Sequence, residues 1–245
     1  RSSAASDVYN IQVLEGDKMR TKSLLIDFDD TLVDFDDAEA YAFYEMTQQF
    51  QIKTNQNDLH TFKKINQAHW DAFQKNELTK DEVLSKRFEA YFHLHQMKID
   101  GKLADQIFRD ELANAPIKHF DQTIETLKQL KEHHDLYIVT NGVLETQERR
   151  IEKTKIGHWF KDIFVSEQTG YQKPMPEFFD YVFNKIGEDK RGYAMIIGDS
   201  MSSDILGGKN ANIETCWFNP RNKTNDTEIK PDYVVNSLKE VIAYV

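Results

Sequence analysis

The sequence predicts an α/β protein: a doubly wound parallel sheet with a separate all-helical block inserted into it. Three observations carry this. Short apolar runs that end in polar or small residues recur along the chain, as strands buried on both faces do. Helical periodicity alternates with them, the order a parallel sheet with crossover helices requires. Between the first and second runs, residues 35 to 118 show amphipathic helical patterns and no convincing strand, which is too long for a simple crossover.

Taken in order, RSSAASDVYNIQVLEGDK (1 to 18) has no clear periodicity and is expected to be a leader preceding a native start at Met19. SLLIDF (23 to 28) is the first strand. Within the helical block the clearest helix opens on Thr79 and Glu82 as a capping box, with Leu84, Phe88, Tyr91 and Phe92 on one face. Ile124, Leu127 and Leu130 then mark a helix at three-residue steps, followed by strands LYIVTN (136 to 141) and DIFVS (162 to 166). Phe179, Val182, Phe183 and Ile186 form a helical stripe that Gly187 should terminate. AMIIGD (194 to 199) and TCWFN (215 to 219) are two more strands, and YVV (233 to 235) is a weaker sixth. The core is therefore expected over 19–34 and 119–245, with the helical block at 35–118.

A chain of 245 residues with 40% hydrophobic and 29% charged content can bury a sizeable core. Its net charge of -10 argues against long nucleic acid or an anionic membrane surface as a partner. A small phosphate ester is compatible, because a bound metal can offset its charge locally. Cys216 is the single cysteine, so no intrachain disulfide forms and a reducing, cytoplasmic setting is expected, with Cys216 as a small buried hydrophobe. No apolar run approaches transmembrane length.

In open parallel sheets, ligands bind beyond the carboxyl ends of the strands. Those ends deliver Asp27 and Asp29, Thr140 and Asn141, and Asp199 with Ser200 and Asp204 just beyond; Lys173 lies in the loop after 162–166, held by Pro174 and Pro176. Residues i and i+2 of an extended chain face one side, roughly 6.6 Å apart. One carboxylate can then attack phosphorus while the other reaches the leaving oxygen. Thr31 follows at the next such position and can tie the turn to backbone. Asp27 and Asp199 offer hard oxygen donors of the kind that suit Mg²⁺, and the cation would relieve the repulsion among the crowded aspartates of LLIDFDDTLVDFDD (24 to 37). Each piece has a plainer reading: a DxD in a loop is commonly a solvated turn, Thr140 and Asn141 can cap a helix, and an isolated lysine is usually solvated. Four such pieces in order at successive strand ends argue against coincidence.

DFDDT (27 to 31), VTNG (139 to 142), QKP (172 to 174) and GDSMSSD (198 to 204) resemble the four motifs of the haloacid dehalogenase-like (HAD) hydrolase superfamily, from Lys22 to the C-terminus. The resemblance implies a Rossmann-like core with the helical insert as an α-helical cap. VSEQTGYQKPMPEFFDYVF and SDILGGKNANIETCWFN look like the capped branch of pyrimidine 5′-nucleotidases. Asn212 departs from it where relatives commonly carry Gly; Asn tolerates the left-handed conformation, so the turn should survive.

Carried over, the resemblance implies Asp27 as nucleophile forming an aspartyl-phosphate and Asp29 as general acid, then base. Thr140, Asn141 and Lys173 would bind the phosphoryl group, with Thr31 beside them. Mg²⁺ would be held by Asp27, the Asp29 carbonyl and Asp199, with Asp204 in support. A carboxylate at Asp29 favours phosphoryl transfer over dehalogenation, which expels a halide and needs no proton. The expected reaction is Mg²⁺-dependent hydrolysis of a small phosphate monoester, foremost a nucleoside 5′-monophosphate. Alternatives are a phosphoglycolate or sugar-phosphate phosphatase, a phosphomutase, or a non-catalytic module regulated by phosphorylation of Asp27. In the cap, His69, Trp70 and Phe73 are candidates for stacking on a base and Arg87 for a polar edge. The plainer reading makes Trp70 and Phe73 cap core, and Arg87 a solvated or salt-bridged residue.

Overall fold

The computed structural model describes residues 21–245; the expected leader and the start at Met19 lie outside them. All six expected strands are present: β1 (Ser23–Ile26), β2 (Asp135–Thr140), β3 (Asp162–Val165), β4 (Ala194–Gly198), β5 (Glu214–Phe218) and β6 (Tyr233–Val235). They form one sheet in the order β3-β2-β1-β4-β5-β6, every pairing parallel. The order runs outward in both directions from β1, so the crevice at the carboxyl end of β1 is the ligand position for this topology.

Alternation along each strand builds the two faces. Leu24 and Ile26 pack with Ile138, Ile197 and Cys216 on one side, while Leu25 packs with Val139, Ile196, Phe179, Val182 and Phe183 on the other. The first face is covered by α5 (Thr123–His133) and the second by α8 (Pro176–Ile186), which follows the single turn α7 (Ser166–Thr169). Phe179 and Phe183 are fully buried, and each such ring contributes about 1.5–3 kcal/mol. Gly187 ends α8 at φ 115, and Asn212 adopts the left-handed conformation expected of it at φ 55. Cys216 is buried, and burial pushes its thiol up to about 12.

Two details differ from expectation. β1 stops at Ile26 instead of Phe28, because the amides of Leu32 and Val33 fold back onto the Phe28 carbonyl around Asp30 at φ 58. In the insert, Val83 is buried where Leu84 was expected. The buried stripe is turned by one residue so that it includes Arg87, which Asp105 neutralises at 2.6 Å.

The insert comprises α1 (Phe35–Gln49), α2 (Gln56–Gln74), α3 (Lys80–Leu94) and α4 (Gly101–Asn114). These helices pack around their own cluster of Phe43, Met46, Phe62, Phe88, Tyr91, Phe92 and Phe108. Both halves of the capping box on Thr79 and Glu82 are formed. The chain leaves and rejoins the sheet side by side: Val33 bridges His119, and the Asp34 amide donates to the Lys118 carbonyl at 2.8 Å.

Candidate active site

Four loops meet at the carboxyl edge of the sheet, beneath the helical insert. Beyond β1, the Asp27 amide continues the ladder by donating to the Ile197 carbonyl at 2.9 Å, which fixes its carboxylate at the crevice. The Asp27 carboxylate accepts from Lys173 Nζ at 2.7 Å, and the Thr31 hydroxyl lies 3.5 Å from its other oxygen. Thr31 is fully buried and accepts from the Asp199 amide at 3.1 Å. It ties the first and fourth loops together and is not part of the cavity wall.

After β2, Thr140 Oγ1 accepts from Gln147 Nε2 at 2.9 Å, and the Gly142 amide lies 3.4 Å away. The Asn141 side chain clasps the backbone of Lys173, accepting from its amide at 2.9 Å and donating to its carbonyl at 2.8 Å. That clasp joins the second loop to the third. Lys173 itself is buried and donates to Asp27, to Asp204 at 2.6 Å and to the Val139 carbonyl at 2.9 Å. Burial works against its charge, but the two carboxylates prevail and hold it above the ordinary lysine value.

After β4 the chain makes one π-helical turn, Met201–Ile205, leading into α9 (Leu206–Asn210); such turns recur at functional sites. The turn aims Asp204 back at the strand end, where its second oxygen accepts the Ser200 amide at 3.0 Å. A Cβ on Gly198 would collide with that carboxylate, so glycine is needed there.

Asp27, Asp199 and Asp204 present ligand atoms within 4.8 Å of one another. Burial raises Asp27 well above the ordinary carboxylate range, Asp204 and Asp199 adding to it against Lys173. Burial also raises Asp199, to about 7, with Asp30 adding and Lys223 opposing. Buried carboxylates that resist ionisation are what a cation stabilises. All the donors are hard oxygens, the chemistry Mg²⁺ takes. Asp204 is the most deeply buried of the three and has both oxygens tightly held, by Lys173 and Ser200, whereas one Asp27 oxygen is only loosely held at 3.5 Å by Thr31, so Asp27 and Asp199 are the better placed ligands and Asp204 stands behind them.

The other crowded aspartates have partners. Arg221 reaches Asp30 at 3.0 Å and Asp34 at 2.8 Å, Lys63 reaches Asp36 at 2.8 Å, and Lys118 reaches Asp37 at 3.1 Å.

Asp29 is placed differently from the strand-based expectation. Its carboxylate turns to α6 (Leu144–Thr154), accepting from Arg150 Nη1 at 2.5 Å and from Gln147 Nε2 at 2.8 Å. Asp27, Asp29, Thr140, Asn141, Asp199 and Asp204 all line one cavity of about 770 Å³ between sheet edge and insert. Trp70 forms part of its wall, half-buried and 5.7 Å from the Arg87 guanidinium, whereas Phe73 belongs to the interior. Arg87 is buried and paired with Asp105, which bears out the salt-bridged alternative.

The sequence alone does not single out Gln147, Arg150, Arg221 and Lys223. Gln147 and Arg150 sit three residues apart on α6, so they share a face. In QERR that face is indistinguishable from a solvated one. Lys223, 3.1 Å from Asp199, lies in a polar loop with no periodicity to read.

The family model for haloacid dehalogenase-like hydrolases matches residues 24–218. The HAD-hydrolase YfnB of Bacillus subtilis is 41% identical over 222 residues, covering 91% of this chain and 94% of that one. Its crystal structure, bound to magnesium, matches at a TM-score of 0.86 and 40% identity, covering 92% of this chain and 98% of that one. The pyrimidine 5′-nucleotidase PynA of Streptococcus pneumoniae is 30% identical over 223 residues, 90% of this chain and 93% of that one. The pyrimidine 5′-nucleotidase YjjG of Escherichia coli is 26% identical, covering 91% and 97%. This chain belongs to the haloacid dehalogenase-like hydrolase family and is an enzyme related to the pyrimidine 5′-nucleotidases.

Proposed function

We propose that the enzyme hydrolyses a small phosphate monoester, foremost a nucleoside 5′-monophosphate, through an aspartyl-phosphate on Asp27. The observation that carries the reading is the convergence of Asp27, Asp199 and Asp204 at the floor of a cavity that also holds Asp29, with Lys173 buried behind Asp27 and Asp204 and outside the cavity wall. Mg²⁺ would sit against Asp27 and Asp199, with the Asp29 carbonyl as a third donor and Asp204 in support. Bound there, it would screen the phosphate from the attacking anion.

An Asp27 oxygen attacks phosphorus, the ester P–O bond breaks, and the departing alkoxide takes a proton from Asp29. Asp29 then takes a proton from water as the water oxygen bonds to phosphorus. The bond from Asp27 to phosphorus breaks, restoring the carboxylate and releasing inorganic phosphate. Lys173 compensates the charge of the nucleophile. Thr140 Oγ1 accepts both of its hydrogen bonds, which leaves its hydroxyl proton to donate to a phosphoryl oxygen. The four-helix insert acts as a cap domain (35–118) over the core (19–34 and 119–245), excluding water. A nucleotide fits the cavity's size, and the half-buried Trp70 face offers a surface for a base. A cytoplasmic setting agrees with the lone, buried Cys216; among the described residues no helix is long and apolar enough to cross a membrane.

The test is phosphate release with Mg²⁺ from uridine, thymidine, cytidine and purine monophosphates, phosphoglycolate, sugar phosphates and an aryl phosphate, with Asp27→Asn as control. Preference for pyrimidine monophosphates and a dead variant uphold the reading. Preference for another ester would keep the chemistry and overturn the substrate; turnover by Asp27→Asn would overturn the mechanism.

A further inference from the structure

Lys80, the first residue of α3, belongs to the insert yet spends its ammonium on the sheet domain. Its Nζ donates to the Gly142 carbonyl at 2.6 Å, to Ser166 Oγ at 3.1 Å and to the Asn141 carbonyl at 3.3 Å. The N-terminus of the helix is fixed by the capping box just before it, so the side chain starts from a rigid point. Among the described residues Lys80 makes no ion pair. Glu167, whose carboxylate accepts the Leu144 amide, and Arg109 are the charged groups that act on it. Burial pulls its ammonium down to about 8, Glu167 opposing and Arg109 adding. This half-buried cation is thus held by neutral oxygens, with the Phe73 ring 5.9 Å away, and, among the described residues, by no carboxylate partner within ion-pair distance.

What it does to that loop follows from peptide geometry. Peptide units are planar and trans, so a carbonyl and the N–H of the same unit point in opposite directions. Asn141, Gly142 and Val143 line the cavity, and Lys80 is not part of its wall. With the Asn141 and Gly142 carbonyls drawn onto Lys80, the N–H groups of Gly142 and Val143 turn away from it. The Gly142 N–H accordingly faces Thr140 Oγ1, a cavity atom. Were either unit to flip, a carbonyl oxygen would face the phosphoryl oxygens and repel them.

We propose that Lys80 is a positioning residue: it pins two peptide units of the loop after β2 so that the Val143 N–H faces the phosphoryl group while the Gly142 N–H holds Thr140 Oγ1. This rests on the reading that the loop binds phosphate. The neighbouring contacts of the same α2–α3 turn are plain docking contacts. Gln172 Nε2 donates to Asn76 at 2.7 Å and to the Phe73 carbonyl at 3.1 Å, and Ser202 donates to Gln74 at 2.7 Å.

Inhibition of the Mg²⁺-loaded enzyme by inorganic phosphate separates pinning from docking, because phosphate is too small to need the insert. Lys80→Met should weaken inhibition roughly 5- to 10-fold, the worth of about one hydrogen bond. Lys80→Arg, which keeps the charge, should recover most of it. Asn76→Ala, which loosens docking only, should stay within about twofold of the parent. Thr140→Ala reports on the underlying reading. If Thr140→Ala weakens phosphate inhibition and Lys80→Met does not, Lys80 positions nothing. Equal weakening by Asn76→Ala and Lys80→Met would reduce Lys80 to a tether and overturn the proposal. If Thr140→Ala has no effect, the reading of the loop fails first, and the proposal with it.

Discussion

Asp29 is held by side chains of a helix, and that decides how it can work. Arg150 is fully buried between the rings of Phe28 and Phe35, its guanidinium 5.1 and 5.3 Å from their centroids, with Nε and Nη2 unpartnered. It is a rigid cation whose ion pair is with Asp29. Arg150→Met should therefore change stability little, since the underpaired buried cation is removed and Asp29, 29% exposed, stays hydrated without its partner. The same change should cut kcat/KM for a nucleoside monophosphate by roughly 10²-fold or more, the scale of general acid catalysis. An aryl phosphate with a good leaving group needs little protonation and should lose far less. Equal losses on both substrates, or a fall in melting temperature, would show that Arg150 is only structural. Asp199 gives a second prediction. Its carboxyl ionises at about 7 in the fold against an ordinary 3.8, so the folded state holds the proton more tightly than the unfolded chain. Stability of the metal-free protein should then fall as pH rises from about 4 to 7 and level off above. Melting curves in chelator should show that fall, and added Mg²⁺ should stabilise more at pH 7.5 than at pH 5.5. A flat profile would contradict it.

At the level of elements, the central strands were legible because they are buried on both faces and write apolar runs, whereas the edge strand β6 leaves Val234 exposed and signals itself only by its short β-branched run. Caps were legible for the same local reason: Thr79 with Glu82 and Gly187 act on backbone within one turn. The order of Asp27, Thr140, Lys173 and Asp199 along the chain likewise placed them at successive strand ends. What stayed hidden depends on partners distant in sequence. Arg87 faces inward because Asp105 meets it from α4, and Arg150 because Asp29 meets it from the loop after β1, the strand neighbouring β2. No periodicity records such pairings. The π-helical turn is equally silent, since GDSMSSD reads as an ordinary turn until Gly198 is seen to make room for the Asp204 carboxylate. Gly198→Ala tests that element directly. The added methyl should drive Asp204 off Lys173 and Ser200, abolishing most turnover and weakening Mg²⁺ binding while the chain remains folded. Calorimetric titration with Mg²⁺ and a circular dichroism spectrum check both halves, and retained activity would count against the role given to the turn. Asp105→Ala tests the other kind of contact. Stranding the buried Arg87 should cost about 3–5 kcal/mol in urea unfolding, whereas a loss below about 1 kcal/mol would mean that water reaches the guanidinium.

Across the whole molecule, two separate interiors divide the work. The sheet domain packs around its own clusters and supplies every aspartate of the proposed chemistry; the insert packs around Phe43, Phe62, Phe88 and Phe108 and supplies the wall opposite. The chain connections between them run side by side at Val33 and His119, and further contacts such as Arg149 with Asp110 and Lys80 with Gly142 hold the two parts together. Chemistry and substrate choice should then respond to different mutations. Trp70 is the residue to separate them, because it faces the cavity while its neighbour Phe73 serves the interior. Aromatic–base stacking is worth about 1–3 kcal/mol by alanine substitution, or roughly 5- to 150-fold in kcat/KM. Trp70→Ala should show that loss on a nucleoside monophosphate, chiefly in KM, because the stacking partner lies away from the reacting bond. On a small alkyl phosphate with no base it should leave kcat/KM within about twofold. A uniform loss on both substrates would mean that Trp70 shapes the cavity as a whole. No loss on either would move base recognition elsewhere on the insert, with the buried Asn66 and Arg87 of the same wall next to be changed.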